Sequence, residues 1–159
     1  MRDNSMRMNH PARLLIVDNH RRFAERCKDI LEPQFKVVNM VLDGSMLAQA
    51  VTKSKPDVVI IDMVMPPWSG FELGEQVKAI RPEAKTIYMT AGYDFDDAAV
   101  AFRQGASAYV SKLDFPEELL LAVRRAIRGD LHLSPRTGVS CTTHSPHHDR
   151  WLNAGVASE

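Results

Sequence analysis

The chain has 159 residues, 45% of them hydrophobic, enough for one ordinary core and little more. Twenty basic and twenty acidic side chains cancel to a formal net charge of zero, which argues against a surface devoted to nucleic acid. Two cysteines, Cys27 and Cys141, make no disulfide framework, no run reaches the length of a membrane span, and the start lacks the apolar centre of a signal peptide; a cytoplasmic domain is expected.

Residues 1–11 read as a flexible leader. The first strand is Leu14-Leu15-Ile16-Val17, ending in Asp18-Asn19. A helix follows His20, with Phe23, Cys27, Ile30 and Leu31 on one stripe and Pro33 just beyond its end; Cys27 in that phase is a small core residue. A strand near 35–42 leads through Asp43-Gly44 to a helix carrying Met46, Leu47, Ala50 and Val51. Pro56 precedes Val58-Val59-Ile60-Ile61-Asp62, an unbroken β-branched apolar run that reads as a strand buried on both faces of a parallel sheet.

Ser69 with Glu72 forms a capping-box signature for a third helix that buries Leu73, Val77 and Ile80. A strand over 86–89 terminates in Thr90. Asp94 with Asp97 opens the fourth helix, Ala98, Ala101 and Phe102 face inward, and Gly105 closes it. A short strand over 108–111 ends at Lys112. Asp114 with Glu117, and Pro116 in the first turn, start a fifth helix striped by Leu119, Leu120, Val123 and Ile127, with Gly129 at its end. Alternating strands and helices imply parallel pairing with right-handed crossovers. The expected domain is a five-stranded doubly wound α/β fold over 12–129. Residues 130–159, rich in Ser, Thr, His and Pro, read as an irregular tail.

Asp18, Asn19, Asp62, Thr90 and Lys112 then share the carboxyl edge of the sheet, where open α/β folds bind ligands. A hard divalent cation such as Mg²⁺ takes one or two carboxylates plus phosphate oxygens. Asp62 is the natural nucleophile for an aspartyl-phosphate once cation and ammonium neutralise the incoming charge. Lys112 suits the phosphoryl oxygens as a point charge, and the Thr90 hydroxyl suits a hydrogen bond to one of them.

Leu-Ile-Val-Asp18-Asn19-His20, Ile-Ile-Asp62-Met-Val-Met65-Pro66 with Gly70, Tyr-Met-Thr90-Ala91, and Gly105-Ala-Ser-Ala-Tyr109-Val-Ser-Lys112 together resemble a receiver domain of two-component response regulators, over about residues 13–130. Ala-Ile-Arg-Gly followed by Leu-Ser-Pro further resembles the subfamily carrying a C-terminal helix-turn-helix, which the residues after 130 do not spell; direct DNA binding by this chain is not expected. The resemblance implies the flavodoxin-like strand order 2-1-3-4-5. It also implies a metal held by Asp18, Asn19, Asp62 and the Val64 carbonyl, and phosphorylation of Asp62 by a sensor histidine kinase or a histidine phosphotransfer protein. Readout is implied through Thr90 and Tyr109 to a surface of the fourth helix, fifth strand and fifth helix, with homodimerisation or partner binding as output. Such a domain catalyses its own phosphorylation but is not counted an enzyme.

Three departures modify that expectation. Asn19 replaces the second acid of the family's pair, which should weaken Mg²⁺ binding and lessen repulsion against a phosphoryl group. Leu113 replaces the proline common after the lysine, so a trans bond is expected there. Val64 and Gly92, at the positions that usually tune phosphate lifetime, hold no hydrolytic water, and slow loss of the phosphoryl group is expected. Trp68 serves either partner contact or packing over its loop, and His132, His144, His147 and His148 read as polar tail. The rival readings are a pseudo-receiver acting by contacts alone and a haloacid-dehalogenase-type phosphatase; the latter is disfavoured because Val64 stands where it needs an acid. A dinucleotide binder is disfavoured because no Gly-rich turn follows the first strand.

Overall fold

A computed structural model describes residues 10–92 and 94–135. Strands β1 (Arg13–Val17), β2 (Lys36–Val41), β3 (Val58–Asp62), β4 (Lys85–Thr90), β5 (Ala108–Ser111) and β6 (His132–Leu133) form one sheet in the order β2-β1-β3-β4-β5-β6. Every pairing in it is parallel. Helices α1 (Arg21–Leu31), α2 (Leu47–Ser54), α3 (Gly70–Ile80), α4 (Phe95–Arg103) and α5 (Glu117–Arg128) are the crossovers. The class is the flavodoxin-like α/β fold read from the sequence, with one strand more than expected. That strand, β6, lies in the segment expected as the tail: two residues carry no periodicity, and their pairing depends on the outer backbone edge of β5. Residues 1–9 of the expected leader and 136–159 of the tail, with Cys141, His144, His147 and His148, lie outside the described residues.

Side chains alternate across each strand, so the sheet divides two apolar layers. Leu14, Ile16, Val58, Ile60, Ile87, Met89, Ala108 and Val110 pack under α1 and α5; Leu15, Val17, Val59, Ile61, Tyr88 and Tyr109 pack under α2, α3 and α4. β3 is buried at all five positions, as its unbroken apolar run demands. Cys27 lies in the first layer, and burial pushes its thiol up to about 12, so it behaves as a core residue.

Helix starts follow local chemistry. Ser69 and Glu72 close a reciprocal capping box on α3, the serine hydroxyl accepting from Glu72 N at 3.2 Å and the carboxylate from Ser69 N at 3.3 Å. Asp94 caps α4 by accepting from Asp96 N at 2.8 Å. Three expectations need correction. Asp114 does not cap α5; it ends a 3-10 turn, Lys112–Asp114, and Pro116 precedes the helix. Ile80 and Ile127, at helix ends beyond the reach of the sheet, are 40% and 39% exposed, and Ala122 and Ala126 fill the α5 contact instead. Met46 belongs to the 3-10 turn Gly44–Met46 before α2 and is exposed. No described helix is long and apolar enough to cross a membrane.

Candidate functional site

Register alone brings the polar strand ends together. Val17 pairs with Ile61, so Asp18 and Asp62 leave β1 and β3 as neighbours. Asp62 pairs with Met89, and Thr90 pairs with Ser111, which sets Thr90 and then Lys112 along the same edge. Asp18 and Asp62 are each 4% exposed. Two buried carboxylates need compensation, and Lys112 supplies it, its Nζ 2.9 Å from Asp18 Oδ2 and 3.1 Å from Asp62 Oδ2. The peptide after Lys112 is trans, as the missing proline predicts.

Two aromatic side chains complete the pocket, and the sequence reading assigned neither to it. The Phe23 ring lies under Lys112, 4.4 Å from Nζ to the centroid, a cation–π contact that fixes the lysine from its other side. His20 brings Nδ1 to 3.2 Å from Asp18 Oδ1 and 3.6 Å from Asp62 Oδ2. Its backbone N–H also donates to Asp18 Oδ1 at 2.8 Å, which turns the chain from β1 into α1 and aims the imidazole inward. Asn19 is exposed, and it is the next residue whose ring meets both carboxylates. In the sequence Phe23 reads as core stripe and His20 as the residue before the helix; the spacing Asp18-x-His20 is the available signal.

Burial, and next the neighbouring Asp18, push the Asp62 carboxyl above its ordinary value; the Val64 N–H, donating to Asp62 Oδ1 at 3.1 Å, and Lys112 oppose that rise. Asp62 is thus a crowded carboxylate whose charge is held by one ammonium and one backbone donor. Asp18, His20 and Asp62 each offer one ligand atom, all within 4.8 Å of one another. The two carboxylates suit a hard divalent cation, while the imidazole admits transition ions too. The loop after Asp62 is held close by Gly70, where a Cβ would stand 2.8 Å from the Met63 Cα.

Thr90 and Tyr109 meet each other rather than the carboxylates. The Thr90 hydroxyl donates to the Gly92 carbonyl in the loop after β4. Tyr109 is fully buried; burial raises its hydroxyl from the ordinary value against a hydrogen bond with the Thr90 side chain. Val64 is 59% exposed beside Asp62. Trp68 is partly buried and packs over Gly44 in the turn before α2, leaving no room for a Cβ there.

The family model for the response regulator receiver domain matches residues 14–124. Among curated relatives, the transcriptional regulatory protein DegU of Brevibacillus brevis is 30% identical over 125 residues, covering 77% of this chain and 53% of that protein. The oxygen regulatory protein NreC of Staphylococcus haemolyticus is 31% identical over 139 residues, covering 86% of this chain and 64% of that protein. The chain therefore spans about half to two thirds of these relatives' lengths. Among solved structures, a LuxR-family two-component response regulator from Aurantimonas sp. SI85-9A1 superposes with a TM-score of 0.75 at 28% identity, over 79% of this chain and 91% of that one.

Proposed function

Because this chain belongs to the response regulator receiver domain family of two-component signalling, we propose that Asp62 accepts a phosphoryl group from a phosphohistidine on a sensor kinase or phosphotransfer protein. An Asp62 carboxylate oxygen attacks phosphorus, the phosphorus–nitrogen bond breaks, and the departing imidazole takes up a proton. The observation that carries this reading is the Lys112 ammonium at 3.1 Å from Asp62 Oδ2, next to the buried Asp18. It opposes the rise that burial and Asp18 impose on the Asp62 carboxyl and offers positive charge to the arriving phosphoryl oxygens.

Asp18 and Asp62, with the Val64 carbonyl, would hold Mg²⁺ as cofactor, and Asn19 is too weak a donor to restore a third carboxylate. Bound there, the cation supplies charge neutralisation for the acyl phosphate. The Thr90–Tyr109 contact supports a switch: a hydroxyl drawn toward a phosphoryl group on Asp62 would give up its present partners, and the packing of Tyr109, on β5, against α4 would follow. The output surface is then α4, β5 and α5, used for dimerisation or for a protein partner.

Incubation with acetyl phosphate and Mg²⁺, read by intact-protein mass, tests the reading. A mass gain that is lost in Asp62→Ala and with chelator supports it. A chain that stays unmodified while its partner contacts persist would instead be a contacts-only pseudo-receiver.

A further inference from the structure

We propose that Ser134, in the segment beyond the fifth helix, is a positioning residue for Lys112: it clamps the turn that carries the lysine from both ends. This rests on Lys112 serving Asp62 as proposed above.

Ser111, immediately before Lys112, and Ser134 are both fully buried, and the Ser111 N–H donates to Ser134 Oγ at 2.8 Å. Beyond the lysine, Asp114 ends the 3-10 turn, and a hydrogen bond with the Ser134 side chain opposes the rise that burial imposes on its carboxyl. Ser134 Oγ therefore accepts from the residue before Lys112, and the same hydroxyl lies against the carboxyl of the residue two after it, favouring its charged form. A hydroxyl is the smallest side-chain group that both accepts and donates. An alanine there would leave a buried N–H without a partner.

The clamp is itself anchored. His132 N donates to the Ser107 carbonyl at 2.9 Å and Ser134 N to the Tyr109 carbonyl at 3.0 Å, which sets β6 alongside β5. The buried His132 ring spans two α5 side chains. Arginine has no acceptor, so Arg125 Nη1 donates to Nδ1 at 3.2 Å; Nε2 then carries hydrogen and donates to Glu118 Oε2 at 2.5 Å. Residues 132–134 thus link α5 and β5 to the turn holding the ammonium that faces Asp62. A displacement of about 1 Å at a reacting group is enough to lower rates by up to about a hundredfold.

The test uses the full chain with Ser134→Ala. With acetyl phosphate and Mg²⁺, the rate of Asp62 phosphorylation falls about tenfold in the native background and is unchanged by the same substitution in Lys112→Ala. A purely structural role would lower both alike, and that outcome overturns the proposal. A second readout needs no phosphoryl transfer. Lysines are ¹³C-methylated reductively, and the Lys112 resonance is identified by its loss in Lys112→Arg. Ser134→Ala should move it toward the resonances of exposed lysines; an unmoved resonance overturns the proposal. Should Ser134→Ala fail to fold, Asp114→Ala releases the other end of the clamp and is read the same way. If the native chain takes no phosphoryl group yet the Lys112 resonance still responds, the clamp stands and the phosphoacceptor reading fails.

Discussion

Lys112 Nζ stands 3.1 Å from Asp62 Oδ2, across fifty residues of sequence, and the same nitrogen also holds Asp18. Removing the ammonium leaves two buried carboxylates facing each other. Lys112→Ala should therefore destabilise the fold by about 3 kcal/mol at neutral pH, the scale for breaking a buried ion pair. Adding Asp62→Asn should recover part of that loss. Urea denaturation of both singles and the double measures it, and strictly additive effects would contradict the coupling.

The acidity of Asp62 predicts a pH dependence. Burial and Asp18 raise its carboxyl above the ordinary value of 3.8, so the folded state holds the proton more tightly than the unfolded chain. The stability tied to this group is present below the unfolded value and is lost as pH rises through the raised folded value. Asp62→Asn, which cannot ionise, should melt higher than the native chain at neutral pH, with the gap closing as the solution is acidified. Matching melting temperatures at neutral pH would contradict this.

A divalent cation between Asp18 and Asp62 should relieve the same repulsion. Mg²⁺ should raise the melting temperature and a chelator should reverse the effect. Asn19→Asp should tighten Mg²⁺ binding, read by Trp fluorescence; equal affinities would remove the role assigned to Asn19. His20→Ala should weaken Ni²⁺ more than Mg²⁺, because imidazole nitrogen suits nickel while carboxylate and water oxygens suit magnesium. Equal losses for both ions would show that the ring at 3.2 Å from Asp18 is no ligand.

Two glycines near the site should respond oppositely to alanine. A Cβ at Gly70 meets the Met63 Cα at 2.8 Å and the Asp62 carbonyl at 3.0 Å, so Gly70→Ala should cost about 1–3 kcal/mol. Gly92 has nothing within 4 Å of the added carbon, and Gly92→Ala should stay within about 0.5 kcal/mol. Thermal denaturation of the pair checks both, and a tolerated Gly70→Ala would show that the loop after Asp62 can yield.

Much of this arrangement is written plainly in the chain. Apolar runs ending in Asp18, Asp62, Thr90 and Lys112 locate the site because strand ends share an edge whatever the lengths between them. The capping box at Ser69 and Glu72 is legible because both partners lie within one turn. What escaped depends on distant partners. His20 reads as a residue before a helix until Asp62 is placed beside it, and Phe23 reads as core until Lys112 crosses its face. β6 has two residues, too few for any pattern, and its identity as a strand comes from β5. Asp114 looks like a cap, yet its carboxyl belongs to the turn of Lys112 and to Ser134.

β6 also decides what the sheet offers to other molecules. β5, Ala108–Ser111, is buried at every position, and its outer backbone row is taken by His132 and Leu133, which among the described residues leaves a two-residue margin on that flank. At the opposite flank β2 runs six residues, with Lys36 and Asn39 facing water. Unpaired strand margins recruit strands from other chains, and short or charged margins resist it. A chain cut back before His132 would uncover the outer N–H and C=O row of β5, an edge prone to pairing laterally with its own copies.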